Sequence, residues 1–332
     1  MDRRGFLVRA GLLAGGLGLG WWVKDHVIWR RPELAFAQGA STGWLPYATR
    51  RSNVPTVQVE VAGRPVRALI DSGAQYSVID AALAAQLPER EGFSFDIPLV
   101  AYGVGGGMQT GRGTTIDLAL PGLTVSGLRA AILKLGPLAS SDRGGLGAPL
   151  ILGQDVFGEA VFEVEPRRRR FRFLKAEGYA PAPDLLPVAA QKRGTALQSE
   201  ITVEGATIQA VVDTGASALL SMHRTSAQQA GLLDGRPSET GVSYVLGGAL
   251  RAQIVRAETV TFADQLYRRA PVGVFEQPPL PNFPDALIGM EAFEDRRAAF
   301  DLGGGRLWAT RAPDVRLGQP ARKVSQTAGS PD

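Results

Sequence analysis

The sequence predicts an all-β protein built from two copies of one β-rich unit in a single chain, and three observations predict it. First, 41 glycines and 22 prolines in 332 residues punctuate many short segments that alternate as strands do. Second, Asp71-Ser72-Gly73-Ala74 ends the apolar run 66–70, and Asp213-Thr214-Gly215-Ala216 ends a matching run, 208–212. Third, one offset of 142 residues relates Asp71 to Asp213, Gly63 to Gly205, Gly73 to Gly215, Ala74 to Ala216, Tyr102 to Tyr244, and Gly105-Gly106 to Gly247-Gly248. A lone Asp-x-Gly recurs by chance, whereas an ungapped register across this many positions reads as internal duplication. The later pair, Gly153 and Gly289, falls at 136, so the halves differ there by a modest loop.

Composition narrows the chemistry. Hydrophobic residues make up 45% and charged residues 20%, as in ordinary globular proteins, and the length suits two domains. There is no cysteine, which removes thiol nucleophiles, disulfides and thiolate metal sites. With only His26 and His223, a histidine-based triad or a multi-imidazole zinc site has little to build with, so no cofactor or metal is expected and carboxylates are the natural source of chemistry. Residues 1–37 hold six of the 36 basic and three of the 32 acidic side chains, leaving the body almost neutral, with 30 against 29. The one basic cluster, Arg167 to Arg170, runs into Phe171-Arg172-Phe173, which alternates like a half-buried strand rather than a nucleic-acid footprint.

Taken in order, the chain begins with Arg3-Arg4-Gly5-Phe6-Leu7 and an apolar, glycine-rich run, 10–23. This resembles a twin-arginine export signal. The run is short of the roughly 20 residues a spanning helix needs. Ala35-Phe36-Ala37 offers a small-x-small cleavage site at an unusually long distance, so two outcomes stand: removal of residues 1–37, or retention with 6–23 as an inner-membrane anchor. Both place the body in the periplasm or otherwise outside the cytoplasm. A first lobe is expected over 50–175, a linker bearing Pro181, Pro183 and Pro187 over 176–195, a second lobe over 196–312, and a disordered polar tail over 313–332.

Within the first lobe, 57–61 and 66–70 form a hairpin about Ala62-Gly63, and its second strand delivers Asp71. Ser77-Val78-Ile79 continues extended, Asp80 caps a short helix 81–87, and Pro88 ends it. Residues 99–102 lead into the glycine cluster 103–107, and strands are expected at 115–120, 128–133 and 150–152, with 161–164 and 170–174 closing the lobe as a hairpin. The second lobe repeats this with strands at 200–203, 207–212, 258–262, 272–275 and 286–288; 242–244 leads to Gly247-Gly248, and 298–302, a glycine run at 303–305 and 306–310 end the lobe. Its helix is expected from a Ser221 cap to Ala230, with His223 on the helix surface.

One Asp-Ser/Thr-Gly is most simply a turn, in which Asp bonds its own backbone. Two copies at the tips of buried strands in equivalent lobes change that, because a buried carboxylate is costly without a partner. If the lobes pack about a pseudo-twofold axis, Asp71 and Asp213 can share a proton, since like charges in contact do not both ionise. The ionised acid can then activate a water while the protonated one donates.

At these residues the chain resembles aspartic proteases of the retropepsin and pepsin type. The stretch 68–74, Ala-Leu-Ile-Asp-Ser-Gly-Ala, with Leu150-Ile151-Leu152-Gly153 is similar to the retropepsin pair of motifs, and 211–216 with Leu287-Ile288-Gly289 is similar to a second set. The resemblance covers about 54–311. It implies a bilobal acid-protease fold of two retropepsin-like barrels with a cleft between them, in a monomer that forms its pseudo-dimer within one chain. It also implies Asp71 and Asp213 as the catalytic dyad, Ser72, Thr214, Gly73 and Gly215 as the brace of the active loops, and the apolar-Gly strands beneath. The glycine clusters then read as flap hairpins over a protein or peptide substrate, with Tyr102, Gly105, Gly106 and Gly107 in the first lobe and Gly247 and Gly248 in the second. Pepsin-type enzymes commonly carry Ser or Thr after the glycine; Ala74 and Ala216 supply no such donor to the carboxylate, which implies higher acid pKa values and activity at milder acidity. The expected function is exported aspartic endopeptidase; the alternative is a non-catalytic binding or assembly protein that retains the fold.

Overall fold

A computed structural model of the protein describes residues 30–49, 52–88, 95–102, 108–141, 145–245, 248–275, 284–312 and 315–317. The first lobe comprises β1 (Glu33–Phe36), β2 (Leu45–Pro46), β3 (Thr56–Val61), β4 (Arg64–Ile70), β5 (Ser77–Asp80), helix α1 (Ala81–Ala84), β6 (Phe95–Tyr102), β7 (Met108–Leu120), β8 (Leu123–Leu133), β9 (Leu150–Leu152), helix α2 (Gln154–Phe157), β10 (Ala160–Glu165) and β11 (Arg170–Lys175). The segment between the lobes carries β12 (Leu186–Val188) and β13 (Ala190–Arg193). The second lobe follows as β14 (Ala196–Val203), β15 (Ala206–Val212), β16 (Leu220–His223), helix α3 (Arg224–Gln229), β17 (Ser238–Val245), β18 (Gly248–Phe262), β19 (Gln265–Phe275), β20 (Ala286–Ile288), β21 (Ala298–Asp301), β22 (Arg306–Ala309) and β23 (Val315–Leu317).

Each lobe closes on itself. In the first, the ladder β8-β5-β9-β4-β3-β7 is joined end to end by the β7–β8 hairpin; in the second, β14-β15-β20-β16-β19-β18 is joined by β14–β18 pairing. Closure leaves few free edges. The pattern of β3, with Val57, Val59 and Val61 buried and Gln58 and Glu60 exposed, shows how alternation sets the inward face. The hairpin turns repeat with the sequence: Ala62 (φ 49°) and Gly63 (φ 74°) in one lobe, Glu204 (φ 50°) and Gly205 (φ 85°) in the other. Two successive positive φ angles match the twist of the strands they join.

The central strands β9 and β20 are short and entirely buried. Each pairs in parallel with the strand that carries the acid, Ile70 opposite Leu152 and Val212 opposite Ile288, and antiparallel with the strand after it. Burial on both faces explains why these segments read as unbroken apolar runs.

A third sheet joins the lobes in the order β12-β22-β21-β10-β11-β2. At its centre the equivalent strands β10 and β21 pair antiparallel, with Phe162 opposite Phe300 and Val164 opposite Ala298. Phe162 meets Phe300 at 6.0 Å between centroids, and Phe300 meets Phe293 at 5.2 Å. These buried rings make one hydrophobic core continuous through both lobes. On the opposite face, Val161, Leu185, Ala299 and Trp308 form a second cluster under Leu174, Ala176, Tyr179 and Ala182.

Several segments differ from the sequence expectation. Residues expected as a linker pack over the bridging sheet, with Tyr179 against Trp308 at 5.6 Å, and supply β12 and β13. Residues 33–36, expected within the leader, form β1 along β8, and 315–317, expected in the tail, form β23 along β19. β1 does alternate, with Leu34 and Phe36 packed against the core, but lies within the residues read as leader; the short, proline-bearing β12 is held through backbone groups at a sheet edge instead. His223 is buried, not on a helix surface: β16 runs through it in register with β19, so the helix starts at Arg224 and Ser221 lies within the strand. The His223 ring meets Phe275 edge-on at 5.2 Å, and burial holds its pKa below the usual imidazole value. The basic cluster is mostly a turn rather than a strand: Arg167 and Arg168 lie in a 3-10 turn, Arg169 takes φ 50°, and β11 begins only at Arg170, with Arg170 paired to Glu165 and Arg172 to Glu163. No helix among the described residues is long and apolar enough to cross a membrane; the anchor segment 6–23 lies outside them.

Truncating the ring at the centre of the bridging sheet tests the shared core. Phe162→Ala is expected to cost about 3–5 kcal/mol, read as a lowered urea midpoint with both lobes unfolding in one transition.

Candidate active site

The two acids emerge at the ends of β4 and β15. Asp71 N–H donates to Leu152 O at 2.9 Å and Asp213 N–H to Ile288 O at 2.9 Å, so each acid is the last residue held by the central parallel ladder. The chain then turns over the glycine that follows the central strand. A methyl group on Gly153 would lie 2.7 Å from Ala74 O, and one on Gly289 would lie 2.2 Å from Ala218 O. Only glycine lets the active loops lie this close, which is the physical content of the apolar-apolar-Gly signature.

The loops are tied across the lobes by the hydroxyls after the acids. Ser72 N–H donates to Thr214 Oγ1 at 2.9 Å, and Thr214 Oγ1 donates to Ile70 O at 2.8 Å. The symmetric pair runs from Thr214 N–H to Ser72 Oγ at 3.0 Å and from Ser72 Oγ to Val212 O at 2.9 Å. Both side chains are buried, and each hydroxyl both donates and accepts across the interface. Asn53 adds a further cross-lobe bond, Nδ2 to Ser217 O at 2.8 Å.

This grip brings the carboxyls together. They are hydrogen-bonded to each other. A methyl group on Gly73 would lie 2.6 Å from Asp213 Cγ, and one on Gly215 would lie 2.5 Å from Asp71 Cγ. The glycine of each Asp-Ser/Thr-Gly thus makes room for the acid of the other lobe. Gly73 and Ala74 N–H donate to Asp71 Oδ1 at 2.8 and 3.1 Å, and Gly215 N–H donates to Asp213 Oδ1 at 2.8 Å. Burial, then the charge and hydrogen bond of Asp213, push the Asp71 pKa well above the carboxylate norm against the pull of those amides. Burial also raises Asp213, opposed by the hydrogen bond from Asp71 and by amides that include Gly73 N–H. One proton held between two acids is the state these forces favour.

Asp71, Ser72, Gly73, Asp213, Thr214 and Gly215 are therefore brought together as the sequence suggests. Tyr102 ends β6 opposite Met108, and Gly248 begins β18 opposite Val245, both at the tip end of a hairpin. Gly105, Gly106, Gly107 and Gly247 lie outside the described residues. Sequence reasoning missed Asn53 and a polar support found only in the first lobe. Asp155 accepts from Ser77 N–H and Oγ at 2.8 and 2.7 Å, Ser77 Oγ accepts from Gly153 N–H, and Gln154 reaches Ser72 O. The second lobe has Leu219, Met290 and Glu291 at these places, so comparison of the halves left them unmarked; the Gln-Asp directly after Leu-Ile-Leu-Gly was the available signal. Among the described residues no group of three or more His, Asp and Glu is placed to hold a metal ion.

A family model for aspartyl proteases matches the chain twice, over residues 57–156 and 199–292. The two segments start 142 residues apart and end 136 apart, the same offsets found within the sequence. A search of the curated proteins finds no match. Among solved structures the chain is similar to basic 7S globulin from soybean, at 9% identity over 85% of this chain and 96% of that one, with a TM-score of 0.45.

The raised carboxyl pKa values fix a sign for stability. Where an acid's pKa is higher folded than unfolded, the folded state binds the proton more tightly, so this contribution is complete below the unfolded value of about 3.9 and is lost as pH rises through the folded value. Asp71→Asn is expected to unfold at a higher temperature than the wild type at neutral pH, with the gain vanishing at about pH 3. Calorimetry across that range checks it; an equal change at both pH values would contradict it.

Proposed function

The chain belongs to the aspartyl protease family, and from that premise we propose that it is an endopeptidase working through Asp71 and Asp213 together. The observation that carries this reading is the reciprocal packing of the two acid loops, each carboxyl lying against the glycine of the opposite lobe, held by reciprocal cross-lobe bonds of Ser72 and Thr214. Family membership implies peptide substrates.

Chemistry follows from one shared proton. The ionised acid takes a proton from a water lying against the pair, and the water oxygen attacks the peptide carbonyl carbon. The carbonyl π electrons move to its oxygen, which receives the proton of the other acid. Collapse of the tetrahedral species breaks the C–N bond; the amine leaves with the proton the first acid had taken, and the second acid regains the other. Because two lobes of one chain supply the pair, a monomer suffices. With Ala74 and Ala216 contributing no hydroxyl and burial raising both acids, activity belongs at mild rather than strong acidity.

The twin-arginine-like start supports action outside the cytoplasm. The place of β1 in the first lobe supports a form that keeps the leader, anchored through 6–23, over cleavage after Ala37, because that cleavage would remove a strand paired with β8 from Glu33 to Phe36.

Purified full-length protein incubated with an unbiased peptide mixture is expected to cleave internal bonds optimally well above about pH 2, near which pepsin's lower dyad pKa lies. Asp71→Asn and Asp213→Asn are each expected to lower the rate by at least ~1,000-fold. No cleavage at any pH, or cleavage unchanged by either substitution, would leave the fold serving binding or assembly instead. In material recovered from the cell envelope, N-terminal sequencing is expected to find a chain that starts ahead of residue 6 and so keeps both the anchor segment and Glu33–Phe36; a start at Gln38 would contradict anchoring.

A further inference from the structure

The two active loops are alike in backbone and unlike in support. Gln154 and Met290 are equivalent, each following the glycine of its central strand, and each N–H donates to its own active loop: Gln154 to Ala74 O at 2.9 Å, Met290 to Ala216 O at 2.8 Å. Their side chains part company there. Gln154 Nε2 donates to Ser72 O at 2.6 Å in a buried setting. The amide cannot be turned over, because that would set Oε1 against another oxygen. Met290, equally buried, has no proton to give Thr214 O.

Ser72 C=O and Gly73 N–H are two ends of one peptide unit. That N–H donates to Asp71 Oδ1 at 2.8 Å and also reaches Asp213. A hydrogen bond accepted at the oxygen of a peptide polarises its N–H, strengthening the bond that N–H gives by roughly 10–30%. We propose that Gln154 is a positioning residue: by holding and polarising the Ser72–Gly73 peptide it strengthens the N–H that Gly73 aims at the charge shared by Asp71 and Asp213. Gln154 Oε1, buried with no hydrogen-bond partner among the described residues, is consistent with a side chain held for the proton it gives.

Among the described residues, the titratable groups on α2 and on the elements packed against it are engaged elsewhere. On α2 itself, Asp155 is engaged by Ser77. On the elements packed against α2, Asp80 of β5 accepts from Ala82 and Leu135 N–H, and Glu163 and Glu165 of β10 pair with Arg172 and Arg170, while β9 carries no ionisable group. The groups acting on the two acids are each other and the amides of Gly73, Ala74, Gly215 and Ala216.

This role presumes the proposed chemistry only in its purpose, so its test reads the acids directly as well as the turnover. Gln154→Met gives the first lobe the residue the second already packs. Weakening a donor to the ionised form raises its pKa. In full-length protein labelled with 13C at the aspartate carboxyls, with the dyad assigned from Asp71→Asn and Asp213→Asn, Gln154→Met is expected to move the lower dyad titration up by about half a pH unit. The acid limb of kcat/KM should move with it. Met290→Gln, which adds the same donor to the second lobe without removing one from the first, is expected to move both readouts down, and it tests the coupling even if Gln154→Met fails to fold. A titration unmoved by either foldable variant overturns the proposal, including the case where kcat falls equally at every pH. A shifted titration in a protein that cleaves no peptide keeps Gln154's role and removes the peptidase reading; normal cleavage with an unmoved titration does the reverse.

Discussion

Everything at the centre of this molecule depends on placing two half-buried carboxyl groups in contact. Two ionised acids there would repel, so the site is stable only with a proton between them and with donors aimed at the remaining charge. The chain meets both needs with backbone rather than with charged side chains: the amides after each Asp point back at it, and the Ser72 and Thr214 hydroxyls lock the loops across the lobes. The Asp-Ser/Thr-Gly triplet is a compact statement of these demands. The acid supplies chemistry, the hydroxyl ties the lobes, and the glycine leaves space for the opposite acid.

The wider fold serves the same placement. Parallel pairing with a buried central strand fixes where each acid leaves its lobe, and the bridging sheet fixes the lobes against each other through Phe162 and Phe300. Symmetry is incomplete in a useful way. Beneath Asp71 lie Ser77, Gln154 and Asp155, while Leu219, Met290 and Glu291 stand at the corresponding places beneath Asp213, so two acids of like origin sit on unlike foundations.

Much of this was legible in the sequence because duplication prints each constraint twice. The offset of 142 recovered both hairpins, both acids and their braces, since backbone geometry at those points admits few residue types. What escaped was what the two lobes do not share: Gln154 stands where the second lobe has Met290, and Asn53 meets a carbonyl that carries no side-chain signature. Edge strands escaped for a different reason. β12 and β23 are short and held by backbone bonds to a neighbour, and β1, although Leu34 and Phe36 alternate inward, lies within the residues read as leader. His223 was misplaced because a strand ending in a buried His and a helix starting one residue later leave no boundary residue with a distinctive preference.

The central claim is that Asp71 and Asp213 act as one unit, and a double-substitution cycle on peptide hydrolysis tests it most directly. If they share one proton and one water, the Asp71→Asn/Asp213→Asn protein loses no more activity than either single variant, because the first substitution has already destroyed the unit. Losses that multiply across the two positions would mean two acids contributing independently, and would contradict the account.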